Sequence, residues 1–412
     1  MKTTQTIFLA TLLLLVAACG KTDPEGETPT PLKKIALTTK QEAIQSHEVD
    51  FALNLFKEIV AREPNKNLMI SPFSASLCLA MTASGAEGET YTQMASTLGF
   101  GGFTHEEIGG YYKTLCNGLL EADNTTKLAI ANAVWPAKNL SLTSTYPGFV
   151  QNWYSAEVTP LDFSATGAVD KVNNWAKEHT NGMIPKVLDF IDPSCRLLLS
   201  NALYFKGKWA GGDMTASKRD FTNFAGNTSR VDFFGDTRSA GYFASENDFT
   251  ACGIPYGNSA YSMVILMPKP GLDINEFVAS LSPALWTKTM NALKALITVE
   301  FLAPSFKSDY TMGDKFKSAL QSMGMQLPFS SSADFSGIST EPLFIGQILQ
   351  KTAIDVNEKG SEAAAVTTVA VFGSSGTPGT NQPPVFIADR PFVYAIVEHS
   401  YNTILFLGIH GE

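Results

Sequence analysis

The sequence predicts an α+β fold built as one domain. Three observations carry this. Helical periodicity fills most of the early chain, strand-like alternation dominates the later part although helices recur there, and no linker divides the chain after Pro31. With 412 residues, 44% apolar and 17% charged, the chain has material for a large core and the composition of a globular protein.

The elements follow in order. Phe51, Leu55 and Ile59 form an apolar stripe, which predicts a helix over Glu48 to Ala61. Leu68-Met69-Ile70 is a short strand. Ser71-Pro72 starts a helix that Gly85 ends, with serine as cap and proline in the first turn. This helix is apolar on most sides, so it should be buried between layers. Helices are expected over Glu89 to Leu98, His105 to Leu120, Tyr146 to Tyr154 and Ala168 to Glu178, with a turn at Asn181-Gly182. Leu128 to Trp135 and Leu197 to Phe205 read as strands. Asp220 to Tyr256 reads as short aromatic strands, and Tyr261 to Pro268 as a strand. Ile274 to Ala295 is helical with a break at Ser282-Pro283. A strand over Leu296 to Leu302 and a helix over Thr311 to Met323 come next. Leu343 to Val356 alternates as one long strand, and Phe392 to Val397 and Thr403 to Ile409 close the chain.

The formal net charge of −9 gives no basic surface for a nucleic-acid groove, so nucleic acid is not an expected partner. The histidines His47, His105, His179, His399 and His410 form no metal-ligand cluster. No nucleophile elbow, phosphate loop or dinucleotide fingerprint occurs. No metal, cofactor or catalytic residue is expected. Cys78, Cys116, Cys195 and Cys252 are widely spaced and read as unpaired thiols, because a core this size needs no staples.

Residues 1–18 read as a secretory signal, and their apolar run, Ile7 to Ala18, is too short to span a bilayer. The end of that run, Leu15-Val16-Ala17-Ala18-Cys19, resembles a bacterial lipoprotein signal, in which Cys19 is the lipidated first residue. A plain signal peptide with an incidental cysteine is the alternative. Residues 19–40 read as the lipidated cysteine and a tether rich in proline, glycine and acids, and residues 41–412 as the folded domain. The resemblance implies a bacterial cell envelope and an outer-membrane lipoprotein, surface-exposed or secreted. Gly20 rather than aspartate after Cys19 fits that sorting. The lipid membrane would be a partner through Cys19.

Residues 360–384 are unlike their strand-like flanks. Glu362 is the one charge in this stretch, and the length exceeds an ordinary loop. At a period of two, Ser361, Ala363, Ala365, Thr367, Val369 and Val371 share a face with neither charge nor bulk, while Glu362 lies opposite. That face suits a segment that is loop in one state and central strand in another. An exposed linker or a fixed edge strand is the other reading.

Six strings, in family order, resemble the serpin family across residues 48–411. They are 67–74 (NLMISPFS), 174–184 around Asn174-Trp175, 200–209 (SNALYFKGKW), 333–338 (ADFSGI), 355–365 (DVNEKGSEAAA) and 389–392 (DRPF). The resemblance implies three β-sheets, eight to nine helices and an exposed reactive-centre loop at about 358–384. It implies a monomeric suicide inhibitor, not an enzyme. A target serine protease attacks the loop and is trapped as a covalent acyl complex when the cleaved loop enters the central sheet. Papain-like cysteine proteases are possible cross-targets, and a non-inhibitory surface binding module on the same fold is the alternative.

The resemblance also places residues. Glu358, Gly360, Ser361, Glu362, Ala363, Ala364 and Ala365 form the hinge. Ser71, Ser74, Asn201 and Trp209 lie where the sheet opens, and Gln350 stands where the family usually has histidine. Counting forward from Glu358 puts the reactive bond at Ser374-Ser375. Counting back from Pro391 puts it at Thr380-Asn381, so the loop is longer than usual; Phe372, Gly373 and Thr377 remain open. No Lys or Arg lies between Gly360 and Gln382, which points to elastase-, subtilisin- or chymotrypsin-like targets rather than trypsin-like ones.

Overall fold

The computed structural model describes residues 29–348, 350–361 and 382–412. The expected signal peptide, Cys19, the hinge positions Glu362, Ala363, Ala364 and Ala365, and the bond candidates Phe372, Gly373, Ser374, Ser375, Thr377 and Thr380 lie outside the described residues.

The first helix, α1 (Thr39–Arg62), starts well before Glu48 because Thr38 and Gln41 form a capping box: Thr38 Oγ1 accepts from Gln41 N (3.3 Å) and Gln41 Oε1 from Thr38 N (3.0 Å). Then come β1 (Leu68–Ile70), α2 (Pro72–Ala83), α3 (Gly88–Leu98), α4 (His105–Glu121), β2 (Lys127–Pro136), α5 (Tyr146–Tyr154), β3 (Ala156–Val158), α6 (Ala168–His179) and β4 (Leu197–Lys208). Strands β5 (Thr215–Thr222), β6 (Thr228–Ser245), β7 (Phe249–Tyr256) and β8 (Tyr261–Pro268) precede α7 (Ile274–Ser280) and α8 (Pro283–Ala292). The chain closes with β9 (Ile297–Pro304), β10 (Phe306–Thr311), α9 (Asp314–Ser322), β11 (Lys351–Asn357), β12 (Gly360–Ser361), β13 (Val385–Ile387), β14 (Phe392–Glu398) and β15 (Thr403–His410).

These strands make a nine-stranded sheet, β1-β15-β14-β8-β7-β6-β9-β13 with β5 on β6, and a six-stranded sheet, β10-β11-β12-β4-β2-β3. The larger one is two ladders that share β6, namely β1-β15-β14-β8-β7-β6 and β6-β9-β13 with β5, so with the six-stranded sheet these are the three expected sheets. The 18-residue β6 runs through both halves of the larger one, with its register shifting between Arg238 and Gly241. Helix α2 lies between the sheets and touches both β15 and β4. Every residue of it but Cys78 is buried, as its all-round apolar pattern requires.

Two expectations fail near the end of the chain. Helix α9 begins at Asp314, not Thr311, because Phe306 and Tyr310 face the core of a strand whose intervening residues, Lys307 and Asp309, masked its alternation. The long strand expected over Leu343 to Val356 is a strand only from Lys351. Alternation alone does not make a strand; a ladder partner does, and β10 pairs with β11 only over Lys351 to Val356. The described cysteines are unpaired, with Cys252 fully buried and the others half-buried.

Candidate functional site: a sheet held together by two residues

The six-stranded sheet has an unusual centre. On one side β4 pairs with β2 along ten residues, Lys206 to Leu197. On the other, among the described residues, it pairs only with β12, as Gly360↔Lys208 and Ser361↔Gly207. Strand β12 also pairs with β11, as Val356↔Ser361 and Asn357↔Gly360. Below that level Leu198 to Ala202 of β4 and Gln347, Ile348, Gln350 and Lys351 line the two sides of a narrow cavity of about 50 Å³, without a ladder between them among the described residues.

The upper end is a tight aromatic pocket. The Trp209 ring stacks on Tyr256 (centroids 4.6 Å apart, 13° between planes) and on Phe234 (5.6 Å, 18°), and its Nε1 donates to Asn357 O at 2.9 Å. Ser361 is fully buried and its hydroxyl bonds Tyr256 Oη. Glu358 O accepts from Met214 N at 2.8 Å. Gly360 has φ +141, and a Cβ there would overlap the Gly207 carbonyl oxygen, so this crossing requires glycine.

The floor of the cavity is α2, and both walls hang from its first turn. Gln350 clamps the Ser71 backbone in both directions: Oε1 accepts from Ser71 N and Nε2 donates to Ser71 O, each at 2.8 Å. Ser71 Oγ donates to Leu405 O of β15 at 2.7 Å. On the opposite wall Ser74 Oγ donates to Asn201 Oδ1. Asn201 Nδ2 then donates to Asn132 Oδ1 (2.7 Å), and Asn132 Nδ2 to Tyr154 O (2.8 Å). Gln350 belongs to one wall and Asn201 to the other; each reaches α2 separately. Walls tied at this level to a common floor and, among the described residues, joined to each other only through β12 above can part here without leaving a buried polar group unpaired. Gln350→Ala should strand Ser71 N–H, while Ser71 O keeps its bond from Ala75 N, and cost about 1–3 kcal/mol, measured as a fall in the urea midpoint at constant slope.

The structure thus brings together Ser71, Ser74, Asn201 and Gln350 at the cavity and Trp209, Glu358, Gly360 and Ser361 above it. Sequence reading missed Tyr256, Gly207 and Asn132. Tyr256 is 105 residues from Ser361 in the chain, and nothing local marks it. Among the described residues no group of His, Cys, Asp or Glu is placed to hold a metal.

Comparison with known proteins identifies this architecture. The family model described as "Serpin (serine protease inhibitor)" matches residues 46–410. Leukocyte elastase inhibitor A of Mus musculus is 33% identical over 386 residues, covering 89% of this chain and 98% of that one. Intracellular coagulation inhibitor 2 of Tachypleus tridentatus is 32% identical over 385 residues, covering 90% and 92%. Among solved structures, the native state of the thermophilic serpin tengpin superposes with a TM-score of 0.80 at 30% identity, covering 94% of this chain and 98% of that one. The chain belongs to the serpin family, a family of inhibitors rather than of catalysts.

Proposed function

We propose that this protein is a suicide inhibitor of serine proteases that traps its target by drawing the cleaved loop into the sheet between β4 and β11. The observation that carries the reading is the two-residue β12, which starts a strand between two walls and sets its register. Continued downward, the pairings of Ser361 with Gly207 and Val356 put residue 363 level with Phe205 and Ile354 and residue 365 level with Leu203 and Thr352. Residue 367 comes level with Asn201 and Gln350, and residue 371 with Leu197 and Gly346. Val356, Ile354, Thr352 and Gln350 are the buried positions of their wall, so the face delivered to the core is the uncharged one, Ser361 to Val371.

Strand β4 has 12 residues, which matches Gly360 to Val371. Each backbone hydrogen bond gained along two edges contributes about 1 kcal/mol net, so filling the lane is worth on the order of 10 kcal/mol. The native loop is held from this by its covalent continuity, and cleavage releases it. A reactive bond beyond Val371 leaves enough chain to fill the lane, which favours Ser374-Ser375, with Phe372, Gly373, Thr377 and Thr380 as the other candidates. Glu358, Gly360, Ser361, Glu362, Ala363, Ala364 and Ala365 act as the hinge. Ser71, Ser74, Asn201 and Gln350 let the walls part, and Trp209 seats the first inserted residues. The protease supplies the nucleophile. Small residues near the bond suit elastase- and subtilisin-like enzymes, Phe372 a chymotrypsin-like one, and papain-like enzymes are secondary targets. We further propose removal of residues 1–18, lipidation of Cys19 and residence at the bacterial outer membrane as a monomer.

The decisive experiment incubates residues 19–412 with elastase, chymotrypsin, subtilisin and papain, runs denaturing gels and sequences the released peptide. An adduct near the summed masses and a cleaved form melting about 10 °C higher or more are expected. Cleavage with neither favours a non-inhibitory binding module, a use of the fold suggested by the solved thyroxine-binding globulin complex with thyroxine (27% identity, TM-score 0.78). Thr367→Val should lower the melting point of the cleaved form by a few degrees, because its methyl meets Asn201 and Gln350 instead of a hydroxyl. Thr368→Val, on the opposite face, should leave that melting point unchanged.

A further inference from the structure

Residues 29–38 lie along the body rather than away from it. Thr30 N and Oγ1 both donate to Asn124 Oδ1, at 3.0 and 3.2 Å, and Thr30 O accepts from Asn258 Nδ2 at 3.3 Å. Lys33 pairs with Glu121 at the end of α4. Ile35 is buried against Gly118, and its N–H donates to Ser400 Oγ at 3.1 Å. Leu37 N donates to Tyr401 Oη at 3.1 Å.

This strap ends beside the hinge. Asn258 follows Gly257, whose N–H donates to Lys208 O at 3.0 Å, and Lys208 is the partner of Gly360. The neighbouring Tyr256 touches Ser361. A few Cα steps of 3.8 Å therefore separate the root of the strap from the mouth of the sheet. Leu32 and Leu120, each 46% exposed, flank the Lys33–Glu121 pair; they are two of the six large apolar side chains left exposed among the described residues. Phe190 and Phe344, exposed at 61% and 54%, lie on the cavity that reaches Leu197, at the opposite end of β4.

We propose that the face formed by Leu32, Lys33, Leu120 and the end of α4 rests on the lipid surface, so that the hinge end is the membrane-proximal end of the molecule. This rests on the reading of Cys19 as the lipid anchor. Nine residues, 20–28, separate Cys19 from the strap; fully extended, the span from Cys19 to residue 29 reaches at most about 35 Å. The strap fixes where that reach begins. The lower end of β4 lies a further 12 residues along the strand, about 40 Å away. The anchored inhibitor would meet proteases close to the bilayer, and Leu32 and Leu120 would bury apolar surface at the interface.

The test places a donor dye at Asp213→Cys, beside the hinge, or at Asp189→Cys, at the far end, in a background whose other cysteines are serine. The chain from residue 19 carries an N-terminal polyhistidine tag and binds vesicles containing nickel-chelating lipid and a headgroup acceptor dye. Energy transfer from position 213 should be at least twofold greater than from 189, and Leu32→Ser with Leu120→Ser should narrow that difference. Equal or reversed transfer overturns the proposal. Mass analysis of Cys19 in protein from bacterial membranes tests the anchor itself, so a missing lipid and a wrong orientation give separate results.

Discussion

Ser361→Arg should turn the inhibitor into a substrate. Ser361 is fully buried, opposite Gly207 on one wall and Val356 on the other, with its hydroxyl on Tyr256. A guanidinium there would have to leave water for a buried position between two backbone strands, which costs several kcal/mol. The inhibitory outcome is a race between strand insertion and deacylation. Raising the insertion barrier by only about 1.4 kcal/mol shifts the race tenfold. The expected gel is cleaved protein with little adduct, and the free protein should also melt lower because the site is already occupied before cleavage. Ser361→Ala, which removes only the hydroxyl, should still form adduct. An unchanged ratio of adduct to cleaved protein in Ser361→Arg would falsify the hinge assignment.

The second large effect is on stability against pH. Glu48 on α1 is 7% exposed; its Oε1 accepts from Tyr112 Oη at 2.6 Å and its Oε2 from Ser76 Oγ at 2.8 Å. Burial pushes its carboxyl up from 4.5 to about 7, and the two hydroxyl donors only partly oppose this. Between those values the native protein holds a proton that the unfolded chain has released. Its stabilising contribution is therefore complete below pH 4.5 and lost as the pH rises through 7, about 3 kcal/mol in all. Glu48→Gln keeps an acceptor for Tyr112 and removes the titration. The stability difference, variant minus wild type, should grow by about 3 kcal/mol from pH 4.5 to 7 and then level off. Denaturant titrations across that range measure it. His399 and His410, both lowered to about 4 by burial, give the opposite slope over pH 4 to 6.5. They act on both proteins alike and cancel in the difference. A flat difference would place the carboxyl in water.

These residues differ in how far sequence could reach them. The cap Ser71 with Pro72, the buried α2 and the strands at Tyr261 and Thr403 follow from local chemistry: a capping serine, an all-round apolar helix, a buried alternation. The early start of α1 was also local, a capping box at Thr38 and Gln41 more than three turns before Phe51. Glu48 was not legible, because its burial comes from Ser76 and Tyr112 on two other helices. Leu343 to Ile348 alternates like a strand and is not one, because pairing is a property of two segments.

The order of motifs along this chain, read alone, was enough to set its family, the small and uncharged face of Ser361 to Val371 and the glycine at the hinge. These are properties of consecutive residues, and backbone period and side-chain size determine them. Tertiary structure decided what that face would slide against. It brought Gln350 and Asn201 to opposite walls over one helix turn, set Tyr256 over Ser361 and ended the strap beside Lys208, since each of these contacts joins segments that only folding makes neighbours.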